Sequence, residues 1–133
     1  LETAPWDAAS RAAHACGATV LLKGVPTVVA SPDGHLLTVA AGNPGLATGG
    51  SGDVLTGLIA SLLGQGVALP DAAAVAAQAM GEAADAAARR VTARAMRPMD
   101  VVTALSEIWK AWQRPQAVRR APVLLDLPAP KAV

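Results

Sequence analysis

Residues 41–57 read AGNPGLATGGSGDVLTG, and within 41–52 glycine stands at positions 42, 45, 49, 50 and 52. No strand or helix interior tolerates glycine at that density, so the first part of this stretch is a loop. From Asp53 the pattern changes. Val54, Leu55, Leu58, Ile59, Leu62 and Leu63 recur at helical spacing, and Gly64 and Gly66 supply a stop, which predicts a helix over 53–66. A glycine loop that runs into a helix N-terminus lets the backbone N–H groups of Gly49, Gly50, Ser51 and Gly52 approach a phosphate closely. The unpaired donors of the first helical turn add to that cradle. It is neither a Gly-Lys-Ser/Thr phosphate loop nor a G-x-G-x-x-G dinucleotide turn. A carboxylate at Asp53 would repel an anion that was merely bound. It makes sense where an attacking hydroxyl must give up a proton beside a phosphoryl group, in a water-poor site. Ser51 and Asp53 also suit simple helix capping.

Working outward, ATVLLK (18–23) has the length and branching of a strand buried on both faces, and Gly24 ends it. VPTVVA (25–30) and HLLTVA (35–40) flank Ser31-Pro32-Asp33-Gly34, a turn sequence that predicts a β-hairpin. Thr3 to Ala15 reads as a helix, with Thr3 or Asp7 as cap, Pro5 in the first turn and Gly17 as its stop. Downstream, Pro70-Asp71 opens a long alanine-rich helix to about Arg90, and Asp100 caps a last one over 101–113. Val102, Leu105, Ile108 and Trp109 form its apolar stripe. The order strand, hairpin, glycine loop, helices predicts the α/β class with helices laid against a sheet. Only about three strands can be placed, which is few for such a fold. The chain also opens without methionine in the lead-in to a helix. We therefore expect a partial domain over 1–113, with further strands preceding residue 1. A Pro-rich tail over 114–133 is expected to be partly ordered at best.

Hydrophobic residues make up 53% of the chain and charged ones 16%, a globular balance in which alanine favours helices but buries little area per residue. Three Trp with no Phe or Tyr argue against a stacking platform for single-stranded nucleic acid. A net charge of +1 gives no electrostatic reason for a nucleic-acid or membrane partner. Arg114, Arg119, Arg120 and Lys131 cluster in the tail and read as solvated. No apolar run reaches the roughly 20 residues of a membrane span, and no signal peptide is visible. Cys16, the single cysteine, reads as a small buried residue, and its usage fits a reducing, cytoplasmic compartment. His14 and His35 lack partners at metal or triad spacing. Glu82 and Asp85 lie near Arg89 on one helix, where i,i+3 and i,i+4 pairing would account for them. Trp109 and Trp112 read as a packing seam or subunit contact, and Lys23 at a strand end also suits a snorkelling surface lysine.

The stretch Asn43 to Gly57 resembles the signature of the NAD(P)H-hydrate dehydratases, a branch of the ribokinase-like superfamily. VLLKGVPTVVASPDG (20–34), MGEAAD (80–85) and MRPMDVV (96–102) resemble three further motifs of that family, so the likeness covers roughly residues 15–113. It implies a ribokinase-like fold of which this chain is the C-terminal half. Complete domains run to about twice this length, and the other half would carry much of the sheet and part of the hydrate pocket. It also implies a repair lyase that returns hydrated NADH or NADPH (NADHX, NADPHX) to the intact cofactor at the expense of ADP or ATP. The C6 hydroxyl would be phosphorylated and phosphate then eliminated. On the same likeness Asp53 would activate that hydroxyl and touch substrate, and the Gly49–Gly52 backbone would hold the phosphoryl group. Lys23, Gly24, Val25, Pro26 and Thr27 would line the adenine nucleotide, with Gly52 also touching it. Asn43 and Gly45 would approach the hydrate. Mg²⁺ is expected on the nucleotide phosphates, with no protein ligand set evident. The family usually has histidine where Met80 stands, and Met80 reads as core packing. A homo-oligomer and a fused or adjacent epimerase domain both stay open.

Two other functions fit the same residues. A vitamin or sugar-alcohol kinase of the superfamily would use the same loop and base, although Asn43-Pro44-Gly45-Leu46-Ala47-Thr48 favours the dehydratase. An inactive nucleotide-binding fragment is the other.

Overall fold

The structure is a computed structural model that describes residues 4–113. Thr3 and the tail 114–133, with its four basic residues, lie outside the described residues. Helix α1 (Pro5–Cys16) opens with Pro5 in its first turn and closes on Gly17 in the left-handed conformation, as expected. Asp7 does not cap it. Ala4 holds that position, with no side-chain bond, and Asp7 lies within the first turn.

Strands β1 (Val20–Leu22), β2 (Thr27–Ala30) and β3 (Leu36–Val39) form one antiparallel sheet in the order β1-β2-β3. The 31–34 turn closes the expected hairpin: Gly34 N–H donates to Ser31 O at 3.0 Å, with Gly34 at φ +91°. β1 is not buried on both faces, because it is an edge strand and Leu22 stays exposed. Register sorts the side chains. Val20, Val28, Ala30, Leu36 and Thr38 share one face, and Leu21, Val29, Leu37 and Val39 share the other. The first face receives α1 through Ala9 and Ala13, and Trp6 Nε1 donates to Thr38 Oγ1 at 3.0 Å. The second face turns toward the remaining helices, where Val39 and Leu21 join the main core. The sheet is thus a middle layer between helices, as an α/β architecture requires.

Helices α2 (Ser51–Gly64), α3 (Leu69–Val91) and α4 (Pro98–Trp112) build the larger layer, with α3 at its centre. α3 buries Ala72, Ala73, Ala76, Ala77, Ala79, Met80, Gly81, Ala83, Ala84, Ala86 and Ala87. A helix that meets α2, α4 and the sheet at once can do so only with small side chains, which is what the alanine run provides. Met80 is core, as the sequence implied. α4 starts earlier than expected. Arg97 occupies its N-cap position, and Asp100, three residues in, accepts from Arg97 N–H at 2.8 Å. Its buried stripe is Val101, Ala104, Leu105 and Ile108, so Val102 turns outward at 37% exposure. Trp109 and Trp112 meet edge to face with centroids 5.2 Å apart, packed against the core. Cys16 is exposed rather than buried, since it falls on the last turn of α1 away from the sheet.

Two backbone positions set the fit of the layers. A Cβ at Gly81 would lie 2.5 Å from the carbonyl of Ala41, so α3 touches the chain leaving β3 with no space for a methyl group. Thr92, which follows α3, adopts φ +68° and ψ 151°, a conformation nearly restricted to glycine.

Overpacking should make Gly81→Ala less stable by about 1–3 kcal/mol in spite of its better helix propensity. Gly57→Ala, whose Cβ would meet nothing within 4 Å, should gain up to about 1 kcal/mol; chemical denaturation of both variants reads the contrast. Thr92→Gly should relieve about 1–3 kcal/mol of strain and raise Tm, even after glycine's greater unfolded-state entropy is subtracted.

Candidate active site

β1 ends at Leu22, and Lys23 to Thr27 turn the chain back into β2 across a cis Val25–Pro26 bond. Thr27 Oγ1 closes this turn, donating to Gly24 O at 3.1 Å and accepting from Gly24 N–H at 3.4 Å. Val25 at its tip is almost fully exposed. The turn forms one wall of a cavity of about 350 Å³. Residues 39–44 with Leu46 and Ala47 form the facing wall, and Leu55, Ala77 and Met80 form the floor. Its polar side chains are Lys23, Thr27 and Asn43; the rest of the lining is apolar side chain and backbone. Such a slot suits a flat ring edged by backbone hydrogen bonds.

Asn43 opens a single 3₁₀ turn (Pro44–Leu46), its Oδ1 accepting from Gly45 N–H at 3.0 Å. Its Nδ2 donates to Asp85 Oδ1 at 2.9 Å, tying the loop to α3. Both ends of the Asn43 amide are therefore engaged within the protein. Gly45 packs where a Cβ would meet Ala93 O at 2.4 Å and Met96 Cε at 2.8 Å. It lines not the cavity but an open crevice on the other side of the loop, with Thr48 and Arg94.

The glycine turn comes next. Gly50, at φ +87°, holds the N-cap position of α2, so the helix begins at Ser51 and not at Asp53. Ser51 is no cap and does not offer a free N–H, because that group donates to Thr48 O at 3.3 Å. Its hydroxyl, 3% exposed with the residue, donates to Leu46 O at 2.7 Å and accepts from Lys23 Nζ at 2.6 Å. Lys23 Nζ also donates to Leu46 O at 3.2 Å. A lysine that only snorkels keeps its ammonium in water; this one spends it on a buried hydroxyl. Gly49, Gly52 and Asp53 lie open to solvent, so within this chain the turn is not the water-poor site expected from the sequence.

Gly45 apart, the predicted residues thus fall into two groups. Lys23 to Thr27 and Asn43 share the cavity; Gly49 to Asp53 form an exposed turn outside it; and the contact between Lys23 and Ser51 joins the two. Glu82 and Asp85 are not an intrahelical pair with Arg89. Glu82 accepts from Gln78 Nε2 at 2.8 Å and Trp112 Nε1 at 2.9 Å, and Asp85 from Asn43. Sequence reading missed Asp85 as a clamp on the loop, and with it Gly81, Leu55 and Ala77. An isolated glycine inside an alanine helix was the one available signal, since it marks a close backbone approach. Among the described residues no three His, Cys, Asp or Glu side chains gather as a metal site, and no helix is long and apolar enough to cross a membrane.

Against known proteins, residues 2–107 match the family model described as NAD(P)H-hydrate dehydratase. An ADP-dependent (S)-NAD(P)H-hydrate dehydratase of Neisseria meningitidis is 58% identical over 69 residues, 52% of this chain and 23% of that protein. A bifunctional NAD(P)H-hydrate repair enzyme of Moorella thermoacetica is 49% identical over 96 residues, 72% of this chain and 18% of its own length. The solved ADP/ATP-dependent NAD(P)H-hydrate dehydratase of Bacillus subtilis, co-crystallised with ATP/Mg²⁺ and soaked with CoA, superposes with a TM-score of 0.76 at 30% identity, over 80% of this chain and 40% of that one. The chain therefore spans less than a quarter of these two curated relatives and two fifths of the solved structure. The glycine turn, the Lys-Gly turn and the sheet between helices are those of a ribokinase-like fold, and the chain belongs to the NAD(P)H-hydrate dehydratase family.

Proposed function

We propose that this chain carries the nucleotide cavity and the phosphoryl-transfer turn of an ADP- or ATP-dependent NAD(P)H-hydrate dehydratase. The observation that carries the reading is Asp53, exposed in the first turn of α2 behind Gly49-Gly50-Ser51-Gly52, on a turn that Ser51 joins to Lys23 in the wall of a largely apolar cavity of nucleotide-base size. Adenine would occupy the slot between Lys23–Thr27 and the 39–47 wall, and its phosphates would extend toward the Gly49–Gly52 turn. The free N–H groups there would be those of Gly49, Gly50 and Gly52, together with the first-turn amide of Asp53. Mg²⁺ would arrive on the nucleotide's phosphates and spread their negative charge. The names of the Neisseria and Bacillus relatives support ADP or ATP and the hydrate as co-substrates.

The chemistry follows from a poor leaving group. Hydroxide does not leave C6 of the hydrated ring readily, so its oxygen first attacks the terminal phosphorus of the nucleotide. Asp53 takes the hydroxyl proton, and AMP (from ADP) or ADP (from ATP) departs. The lone pair on the ring nitrogen then expels phosphate from C6, and loss of a proton from C5 restores the ring double bond. Asn43 and Gly45 lie in the loop as hydrate-side residues, and because the Asn43 amide is already bonded they would meet the hydrate through the backbone. The bifunctional Moorella relative supports a second repair activity in the same polypeptide, which we read as a fused or adjacent epimerase domain. A reducing, cytoplasmic setting completes the reading.

Supplying hydrate, ADP and Mg²⁺ to the chain together with the other half of the domain should restore absorbance in the reduced-nicotinamide band. Asp53→Asn should slow that recovery by about 100-fold or more while ADP binds as well or better, since a carboxylate beside the phosphates is removed. ADP binding without turnover in either form would instead identify a nucleotide-binding fragment. Phosphorylation of a vitamin-like or sugar alcohol would identify the kinase. Ala77→Leu, which adds bulk to the cavity floor, should weaken ADP binding by about tenfold or more by calorimetry. Unchanged affinity would place the base elsewhere.

A further inference from the structure

Between Ala47 and Asp53 every residue is exposed except Ser51. Glycine on both sides, with Gly50 at positive φ, leaves the turn no other side chain by which to hold its path. Its geometry therefore depends on one buried hydroxyl. That hydroxyl is held by Lys23 Nζ at 2.6 Å, and the same ammonium reaches Leu46 O at 3.2 Å. An ammonium has three donors and no acceptor. Two are committed to the turn, and Lys23 is at the same time part of the cavity wall. The residue thus ties the cavity wall to the turn, alongside the bond of the Ser51 hydroxyl to Leu46 O at 2.7 Å.

We propose that Lys23 is a positioning residue: through Ser51 it holds the turn that carries Asp53, and it couples occupancy of the cavity to the rigidity of that turn. An acceptor atom of a nucleotide in the cavity takes the third donor and fixes the ammonium. The fixed ammonium holds Ser51 Oγ and Leu46 O, and the first turn of α2 stiffens with Asp53 on it. Without an occupant the lysine keeps two of three partners and the turn opens more often. The ligand arm rests on the nucleotide reading of the cavity; the brace itself does not.

Amide hydrogen exchange on the full chain tests both. The reporters are the Ser51 and Val54 amides, bonded to Thr48 O and Gly50 O at 3.3 and 3.2 Å. Lys23→Met and Ser51→Ala should each lower their protection by about tenfold or more, the scale of one hydrogen bond to a charged group. The double variant should lose less than the sum of the single losses, because both remove the Lys23–Ser51 contact while each also removes its own bond to Leu46 O. Amides of α3 and α4 should be unmoved, which separates a local effect from unfolding. Lys23→Cys in a Cys16→Ser background, alkylated with 2-bromoethylamine, returns an ammonium at similar reach and should restore protection. Additive losses, or no rescue, overturn the brace. With ADP and Mg²⁺ as probe, protection should rise in the unmodified and rescued chains and not in Lys23→Met at saturating nucleotide. An equal rise in Lys23→Met overturns the coupling. If ADP alters no chain, the nucleotide reading and the coupling both fall, while the nucleotide-free protection factors still decide the brace.

Discussion

Gly81 meets the backbone of Ala41 where a single added carbon would lie 2.5 Å from its carbonyl, and the geometry of the site descends from that contact. A helix can lie this close to a crossing chain only where it carries no side chain. Once the chain leaving β3 is pressed onto α3, Gly42 must take φ +112°, with Leu46 folded back beside it. Asn43 then reaches Asp85, one helical turn beyond Gly81, and Gly45 comes down onto the carbonyl of Ala93. The path of the loop is imposed by the helix beneath it. Its own glycines permit that path without specifying it.

The same contact explains the composition of the core. α3 is surrounded by two helices, the sheet and the loop, and eleven of its residues are buried, nine of them alanine. Each alanine removes little apolar area from water, so the layer gains its cohesion from close approach and many short dispersion contacts. Apart from Met80, the larger residues come from the neighbouring segments, as Leu55, Met96, Val101, Leu105 and Ile108, and Trp109 and Trp112 seal one end. The indole of Trp112 and the amide of Asn43 supply neutral donors to Glu82 and Asp85, both half-buried on α3. Two acids that look like surface charges in sequence are in fact fasteners between elements. A half-buried carboxylate needs such donors more than an exposed one does.

Chemically the site divides by polarity. An apolar slot lies on one side, a bare-backbone turn with a carboxylate lies on the other, and one ammonium stands between them. That separation suits a ligand with a flat ring at one end and concentrated negative charge at the other. It also keeps Asp53 outside the slot, where a carboxylate would gain nothing from the apolar walls.

The amino-acid sequence by itself determined the elements and the glycine-rich make-up of the turn. Glycine and proline punctuation, the Ser-Pro-Asp-Gly hairpin turn and helical apolar spacing are local properties, so the strands, the helices and the place of Asp53 near a helix start were readable from residues alone, while its exposure was not. Tertiary structure decided whatever depends on which element lies next to which. β1 became an edge strand because its only described neighbour is β2. Val102 turned outward because α4 begins at Pro98 and rotates its stripe onto Val101 and Ala104. Asp85 faced Asn43 instead of Arg89, and Ser51 gave its hydroxyl to Lys23, 28 positions away, instead of to its own helix. Periodicity reports the face a residue occupies within its own element. It carries no record of the partner across a gap, and the donors and acceptors that fix this site all come from across one.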